Sequence, residues 1–333
     1  MFDNNLHVRA FRGAGLIAAI IGFSSLGFGF VLGVAPASAA APFVKTQAPG
    51  FHRLMLGEFE ITALNDGTVD LDVAKLLKQP QAATERALSR SFVHNPLETS
   101  VNAFLINTGA RLVLIDTGAG TLFGPSLGKL QANLREAGYK PEQIDDVFIT
   151  HMHPDHVGGL TNKGEPAFAN AVIHANKRDS EFWLSQINFD NAPADSKSFF
   201  QGAITSVTPY RAAGRYQPFE GDVELVPGVR AIASYGHTVG HTNYLVESKG
   251  QRLLLIGDLI NVASVQLENP AVTIAFDSDG RSASTSRQRL FTLAATKGAL
   301  VGAAHLQFPG IGHLRREAKA WRWVPLNYSA ELR

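Results

Sequence analysis

Short hydrophobic runs bounded by turn residues recur along the chain and predict β-strands. Residues 101–106 (VNAFLI) and 111–116 (RLVLID) flank a tight Asn/Gly turn, and this pattern predicts a hairpin. Residues 242–248 (TNYLVES) and 251–258 (QRLLLIGD) predict a second hairpin around Lys-Gly. Between them, residues 127–139 carry apolar side chains at helical spacing, which predicts a helix that ends near a glycine.

Three further runs predict strands at residues 145–150 (DDVFIT), 171–175 (AVIHA) and 299–305 (ALVGAAH). Residues 58–72 predict a strand, a turn at Asp66-Gly67 and a second strand. Strands are more frequent than helices in the first and last thirds of the chain, and helices lie between them. This order predicts an α+β protein in which packed sheets carry helices on their outer faces.

The first 42 residues have the layout of a secretory signal. Arg9 and Arg12 precede an apolar run at 14–34, and a small-residue stretch at 35–42 contains the cleavage box Ala37-Ser38-Ala39. We therefore expect a signal peptide over 1–39, a single domain over 40–333, and a periplasmic or secreted product. The alternative is an uncleaved anchor, because the apolar run is about long enough to span a membrane.

Composition narrows the classes of function. The chain of 333 residues is 45% hydrophobic and 18% charged, which is typical of a globular protein. Its formal net charge is +1 and its basic residues are scattered, so nothing predicts a nucleic-acid surface. It contains 0 cysteines, which excludes disulfides, thiolate metal ligands, iron–sulfur clusters and cysteine nucleophiles.

The stretch THMHPDHVGG (150–159) concentrates three histidines and one aspartate. In an extended segment His151 and His153 project to the same side, which suits two ligands of one metal ion. Pro154 then forces a bend, so that Asp155 and His156 point elsewhere, as ligands of a second ion would.

Three more side chains that can bind a metal lie at the ends of hydrophobic runs that predict strands. His237 follows RAIASYG (230–236), Asp258 is the last residue of the run 251–258, and His305 is the last residue of the run 299–305. Strand ends are rigid and can hold ligands in a fixed geometry. With His237 on the first ion, His305 on the second and Asp258 between them, the set predicts a binuclear site. Its imidazole and carboxylate ligands suit zinc, and also manganese, cobalt or iron.

In this order the motifs HMHPDH, GHTVGH, IGDLI and AAH resemble the metallo-β-lactamase superfamily, over about residues 55–325. The resemblance implies an αββα sandwich, two mixed sheets flanked by helices, with a dinuclear site at one edge. It implies that His151, His153 and His237 bind one ion, that Asp155, His156 and His305 bind the other, and that Asp258 bridges. It also implies that Asp116 accepts a hydrogen bond from a ligating histidine. His241 is expected to support the site without binding metal.

Within this superfamily, ITALNDGT, PLETSVNAFLINTG, FWLSQ and AAHLQFPGIGH are similar to exported enzymes of the methyl parathion hydrolase and dihydrocoumarin hydrolase type. The resemblance implies that Phe123, Trp183 and Phe199 line a leaving-group pocket. The chain departs from the parathion-hydrolysing pattern around that pocket, at Leu76, Asn261, Ile274 and Phe276. These departures favour a lactone or an aryl ester as the main substrate.

The expected reaction is hydrolysis by a bridging hydroxide, because two divalent ions about 3.5–4 Å apart lower the pKa of a shared water. Asp155 or Asp258 would hold the proton of the nucleophile. Lactones and aryl esters are the expected substrates, and organophosphate triesters are secondary. A dedicated organophosphate hydrolase, an acyl-homoserine lactonase and a non-catalytic metal-binding protein are the alternatives. We expect no nucleic-acid partner and no membrane anchor after processing, and a homodimer is possible.

Overall fold

The computed structural model describes residues 41–332, and the predicted signal segment 1–39 lies outside them. The chain divides into two units, residues 1–46 and 47–333, and the strands and helices described lie in the second. In the range 41–332, no helix has both the length and the hydropathy needed to cross a membrane.

Two seven-stranded sheets and one small hairpin make up the β-structure of the described residues. The first sheet, in spatial order, contains β1 (Phe51–Leu56), β2 (Phe59–Leu71), β3 (Leu97–Asn107), β4 (Leu112–Ile115), β5 (Asp146–Phe148), β8 (Val172–Asn176) and β9 (Tyr216–Phe219). The small hairpin is β6 (Thr161–Asn162) with β7 (Glu165–Pro166). The second sheet contains β10 (Val223–Val226), β11 (Val229–Ala233), β12 (Thr242–Ser248), β13 (Gln251–Leu255), β14 (Leu300–Gly302), β15 (Ile311–Glu317) and β16 (Ala320–Pro325).

The helices lie between these strands along the chain. They are α1 (Val73–Leu76), α2 (Gln81–Arg90), α3 (Leu130–Glu136), α4 (Pro154–Val157), α5 (Lys177–Trp183), α6 (Gln186–Asn191), α7 (Lys197–Ala212), α8 (Ala263–Gln266) and α9 (Gly280–Lys297). Both large sheets are mixed: β4, β5, β8 and β9 run parallel, as do β13 and β14, and the remaining neighbours are antiparallel.

The alternation of side chains along each strand produces the layers. In β3, Phe104 and Ile106 point to the space between the sheets, where they pack against residues of the second sheet such as Tyr244 and Leu255. Leu105 of the same strand points the opposite way. Because successive strand residues face opposite sides, one hydrophobic run fills two cores.

Helices cover both outer faces. The outer face of the first sheet packs against α3, α5 and α7 through residues such as Leu134, Trp183 and Val207. The outer face of the second sheet packs against α9 through Leu290 and Phe291. The architecture is therefore the predicted αββα sandwich, in which two mixed sheets are flanked by helices.

One predicted element is wrong. Residues 59–71 form one continuous strand with a bulge between Asn65 and Gly67, where the sequence predicts a turn at Asp66-Gly67. The carboxylate of Asp66 leaves the strand and accepts hydrogen bonds from the backbone N–H groups of three residues in the 119–130 segment: Ala119, Gly128 and Leu130. A bulge redirects a single side chain without reversing the strand, and here it anchors a distant loop.

Candidate metal centre

Strand ends from both sheets meet at one edge of the sandwich. Because β4 and β5 are parallel, the residues that follow them, Asp116 and His151, lie at the same edge of the first sheet. Because β13 and β14 are parallel, Asp258 and His305 lie at the corresponding edge of the second sheet. His237 follows β11 of the second sheet and lies in the same cluster, beside His151 and Asp258.

The first group of possible ligands contains His151, His153, His237 and Asp258, with one donor atom of each within 4.8 Å of the others. His153 Nδ1 and His237 Nε2 are 3.1 Å apart. Asp258 Oδ2 lies 3.3 Å from His237 Nε2 and 3.9 Å from His151 Nε2. All four residues are buried. Three imidazole nitrogens and one carboxylate oxygen around one point are a common ligand set for a divalent transition metal.

The second group contains Asp155, His156 and His305, again with donor atoms within 4.8 Å. Asp155 Oδ2 lies 3.5 Å from His156 Nε2 and 3.4 Å from His305 Nε2. Asp155 and His156 belong to the short helix α4, which begins at Pro154. Proline fits the first turn of a helix, and this turn directs Asp155 and His156 into the second group with His305.

Asp258 touches both groups. Its Oδ1 lies 3.1 Å from His156 Nε2, and its Oδ2 lies 3.1 Å from His305 Nε2 as well as near the first group. Asp258 Oδ1, His151 Nε2 and His156 Nε2 are buried, and despite their short separations none of them has a partner among the described residues in hydrogen-bond geometry. A buried polar atom without a partner is costly unless it binds something. The cluster therefore fits cations and suggests two metal ions.

The other ring nitrogen of several histidines is fixed by an acceptor. His156 Nδ1 lies 2.8 Å from Asp116 Oδ2, and His305 Nδ1 donates to the carbonyl oxygen of Ser100 at 2.9 Å. His237 Nδ1 lies 2.9 Å from Asp277 Oδ1. A proton held on Nδ1 leaves the Nε2 lone pair free for a metal. In each case Nε2 faces the cluster.

His241 lies beside the cluster and is not a member of either group. Its Nε2 accepts a hydrogen bond from the backbone N–H of Asp258 at 3.1 Å, and its Nδ1 contacts Ser234 Oγ at 2.7 Å. Both ring nitrogens are therefore occupied by protein groups. His241 holds the backbone of Asp258.

Burial and neighbouring charges set the protonation of the cluster. Burial and nearby imidazoles keep the pKa of His151 and His153 well below the ordinary value, so both are neutral. Burial also lowers the pKa of His237, but the carboxylates of Asp258 and Asp277 outweigh it and raise the pKa to about 9. Burial would raise the pKa of Asp155, yet the adjacent imidazoles of His156 and His305 lower it to about 2. The surrounding imidazoles likewise keep the pKa of Asp258 well below its ordinary value, so both ligand carboxylates are ionised, as metal ligands must be.

An apolar cavity of about 260 Å³ opens onto the cluster. Four of the clustered residues form its polar side: His153, Asp155, Asp258 and His305. Its remaining wall is formed by Val69, Leu71, Phe123, Leu127, Phe199, Asn261 and Phe276. A mainly apolar pocket with a few convergent polar groups is the usual form of a small-molecule site.

A second cavity, of about 650 Å³, adjoins the first and shares His153, Phe199 and Phe276 with it. Trp183 and Leu76 line this second cavity. The three aromatic residues that the resemblance groups together are thus divided: Phe123 and Phe199 border the cavity at the cluster, and Trp183 borders the neighbouring one. The Phe199 and Phe276 rings, with centroids 6.3 Å apart, lie on the shared wall.

Ile274 has a different place from the one that the resemblance implies. Its side chain is 1% exposed and packs in a core cluster with Val73 and Leu77, and it lines neither cavity. An isolated bridge pairs Ile274 with Leu77 and turns the side chain into this core. Ile274 is a packing residue beneath the wall that Phe276 forms.

Two buried aspartates were not identified from the sequence. Asp277 contacts His237, and Asp179 accepts hydrogen bonds from Met152 N, Thr238 Oγ1 and Gly240 N in the loops that carry His151, His153 and His237. Asp277 precedes a helix by a few residues, where an aspartate ordinarily caps the helix, as Asp279 does here. No local sequence pattern distinguishes an aspartate that contacts a ligating histidine, such as Asp277, from one that caps a helix, such as Asp279.

Comparison with known proteins relates the chain to hydrolases. An N-acyl homoserine lactonase of Bacillus sp is 27% identical over 202 residues, which are 55% of this chain and 72% of that protein. The crystal structure of the hydrolase AbOPH in the beta lactamase superfamily is 33% identical, with a TM-score of 0.81 over 85% of this chain and 100% of that one. AidC, a dizinc quorum-quenching lactonase, is 25% identical with a TM-score of 0.79 over 84% and 98% of the two chains.

The family model of the metallo-beta-lactamase superfamily matches residues 97–305. This match spans β3 to the residue His305 and contains all seven clustered side chains. The fold, the cluster and the match agree. The chain belongs to the metallo-beta-lactamase superfamily.

Proposed function

We propose that the protein is an exported dinuclear-metal hydrolase that opens lactones and cleaves aryl esters, with phosphotriester hydrolysis as a secondary activity. One observation carries the proposal: the apolar cavity of about 260 Å³ ends on residues of both ligand groups. An apolar substrate in this cavity has its reacting carbonyl group beside the cluster and the rest of its surface against Phe123 and Phe199.

The relatives support the same class of chemistry. The Bacillus sp relative is an N-acyl homoserine lactonase, and AidC is a dizinc lactonase solved with the product N-hexnoyl-L-homoserine. Both act on small lactones. With identities of 27% and 25%, these relatives support a lactone as the substrate class. The choice between an acyl-substituted lactone and an aryl lactone rests on the cavity wall.

Zinc is the proposed metal, because the ligands are mainly imidazoles and the relative AidC is a dizinc enzyme. His151, His153 and His237 would hold one ion, Asp155, His156 and His305 the other, and Asp258 both. When bound, two such ions lower the pKa of a shared water and polarise the bond under attack.

The residues of the chain supply positioning and proton transfer. The apolar wall orients the substrate and excludes bulk water, which strengthens charge interactions at the cluster. The carboxylate of Asp155 is held ionised beside the imidazoles of His156 and His305, which its Oδ2 faces, and its other oxygen can hold the proton of the attacking water. An aryl leaving group departs as a phenolate and needs no proton. The described residues of the cavity wall include no obvious general acid, which suits aryl substrates.

The test is a comparison of kcat/KM values for the mature chain loaded with zinc, manganese or cobalt. Dihydrocoumarin, an N-acyl homoserine lactone and methyl paraoxon serve as the three substrates. We expect the two lactones to be hydrolysed with higher kcat/KM than the phosphotriester. A marked preference for methyl paraoxon would instead identify a dedicated organophosphate hydrolase.

Absence of hydrolysis in this screen, with both ions bound, would favour a non-catalytic metal-binding protein. Metal analysis of the same samples distinguishes an empty site from a filled but inactive one. The Asp258→Asn variant is the matched negative control, since it keeps the shape of the side chain and removes the charge that both groups share.

Export is part of the proposal and rests on the pattern of residues 1–42 alone. Mass spectrometry of the exported protein should find an N-terminus near Ala40. An intact Met1 on a membrane-associated product would contradict cleavage and favour the anchor.

A further inference from the structure

A fully buried arginine lies behind the metal centre. Arg287 of α9 is 0% exposed, and among the described residues it makes no direct ion pair with a carboxylate. The charge of nearby Asp277 only partly offsets the burial that lowers the pKa of the guanidinium to about 10. Burying a guanidinium is costly, and an apolar side chain of similar size often stabilises a protein more. A stabilising role alone therefore explains the residue poorly.

The guanidinium of Arg287 binds three backbone carbonyl groups of one segment, residues 259–272. Its Nε donates to the oxygen of Leu259, and its Nη1 donates to Pro270 at 2.7 Å and to Val272 at 2.8 Å. Leu259 directly follows Asp258, the residue shared by both ligand groups. The rigid fork of an arginine can hold both ends of such a segment at once.

A second path leads from one of these carbonyl groups, that of Val272, to the Asp258 side chain. Gln266 Nε2 donates to the oxygen of Val272, and Gln266 Oε1 accepts from the backbone N–H of Asn261 at 2.8 Å. Asn261 Nδ2 then donates to Asp258 Oδ2 at 2.9 Å. All members of this chain are buried, so they form one fixed network in a region of low dielectric.

The same segment continues to the partner of His237. Residues 272–277 lead from the oxygen bound by Arg287 to Asp277, whose Oδ2 accepts from Ile274 N and whose Oδ1 contacts His237 Nδ1. The ends of the segment that Arg287 holds thus lie next to Asp258 and close to the residue that orients His237.

We propose that Arg287 is a positioning residue for the metal centre: it fixes residues 259–272, and Gln266 and Asn261 transmit that constraint to the carboxylate of Asp258. The inference requires the metal centre and does not require that the substrate be a lactone. Its experiment therefore measures metal affinity, which is independent of any substrate.

The experiment titrates Zn²⁺ into the metal-free chain in competition with a chromogenic chelator. Arg287→Met keeps an unbranched side chain that can fill most of the buried space and removes the guanidinium donors, and we expect a 10–100-fold loss of affinity, as for other groups that orient metal ligands. Arg287→Lys should lie between wild type and Arg287→Met, because an ammonium cannot reach all three carbonyl groups. Arg289→Met is the control, since Arg289 is exposed on the same helix and donates to Ala233 O. It should bind zinc as wild type does.

Urea unfolding of each metal-free variant separates positioning from folding. If Arg287→Met does not fold, Gln266→Met breaks the same network in the middle and carries the test, with the same expected loss. Wild-type zinc affinity in folded Arg287→Met, or in Gln266→Met when the arginine variant is unfolded, would overturn the proposal. An equal loss of affinity in Arg289→Met would overturn it as well.

Discussion

Each of His156, His237 and His305 binds an acceptor with one ring nitrogen and faces the cluster with the other. The acceptors differ in kind, since Asp116 and Asp277 are carboxylates and Ser100 offers a backbone carbonyl group. A carboxylate acceptor raises the basicity of the imidazole and so makes it a better metal ligand. Metal affinity should therefore depend on residues that never touch the metal.

Asp116→Asn should lower zinc affinity 10–100-fold. Asp116 Oδ2 accepts from His156 Nδ1 and from Thr150 Oγ1, and an amide would leave one of these donors without an acceptor. Competition with a chelator measures the effect. The control is Asp146→Asn, because Asp146 is also buried and contacts His174 Nε2 at 3.0 Å away from the cluster. An equal loss in both variants would contradict the role of Asp116.

Substitutions at Ile274 and Phe199 should distinguish a residue that packs the core from one that selects the substrate. Ile274→Val should lower the free energy of unfolding by about 0.5–1.5 kcal/mol and leave the ratio of kcat/KM for aryl and aliphatic lactones unchanged. Phe199→Ala should lower that ratio about tenfold, because the ring borders the cavity at the cluster. A changed ratio in Ile274→Val would place that residue in substrate selection.

At the scale of elements, one buried aspartate joins α5 to two loops. Asp179 accepts hydrogen bonds from Met152 of the 151–153 loop and from Thr238 and Gly240 of the 236–241 loop. Helix α5 thereby fixes the distance between the loops that carry three ligands of the first group. Burial outweighs these hydrogen bonds and raises the pKa of Asp179 to about 6 from 3.8.

This pKa predicts a pH-dependent stability. The folded chain keeps the proton on Asp179 up to about pH 6, whereas the unfolded chain loses it near pH 3.8. The contribution is therefore complete below pH 3.8 and is lost as the pH rises through about 6. It amounts to about 3 kcal/mol at about 1.4 kcal/mol per pH unit.

Urea unfolding of the metal-free chain from pH 4.5 to pH 7.5 measures this contribution. Wild type should lose stability relative to Asp179→Asn over that range. Asp195→Asn, at an exposed loop position, is the control and should follow wild type. A constant difference between wild type and Asp179→Asn would contradict the raised pKa of Asp179 in the folded chain.

The elements that can be predicted from the sequence are those determined by neighbouring residues. The 242–258 hairpin follows from alternation around a Lys-Gly turn, and His151, Asp258 and His305 are recognisable because each follows a hydrophobic run. The prediction of a turn at Asp66-Gly67 is wrong because the carboxylate of Asp66 binds a distant segment, from Ala119 to Leu130. Such long-range hydrogen bonds leave no periodic signal.

At the scale of the whole molecule, the layers were predictable and the walls of the cavities were not. Strand and helix order, with the resemblance carried by HMHPDH and its partners, predicts the αββα sandwich. The separation of Trp183 from Phe123 and the burial of Ile274 depend on how loops pack after the sheets have formed. Neither follows from the order of residues along the chain.

The central claim is that the edge between the two sheets holds two metal ions and that hydrolysis requires both. Titration of the metal-free mature chain with Zn²⁺, with dihydrocoumarin hydrolysis followed at each step, tests it most directly. We predict that activity rises to a plateau at two ions per chain and that Asp258→Asn does not reach it. Full activity without metal, or a plateau at one ion, would contradict the claim.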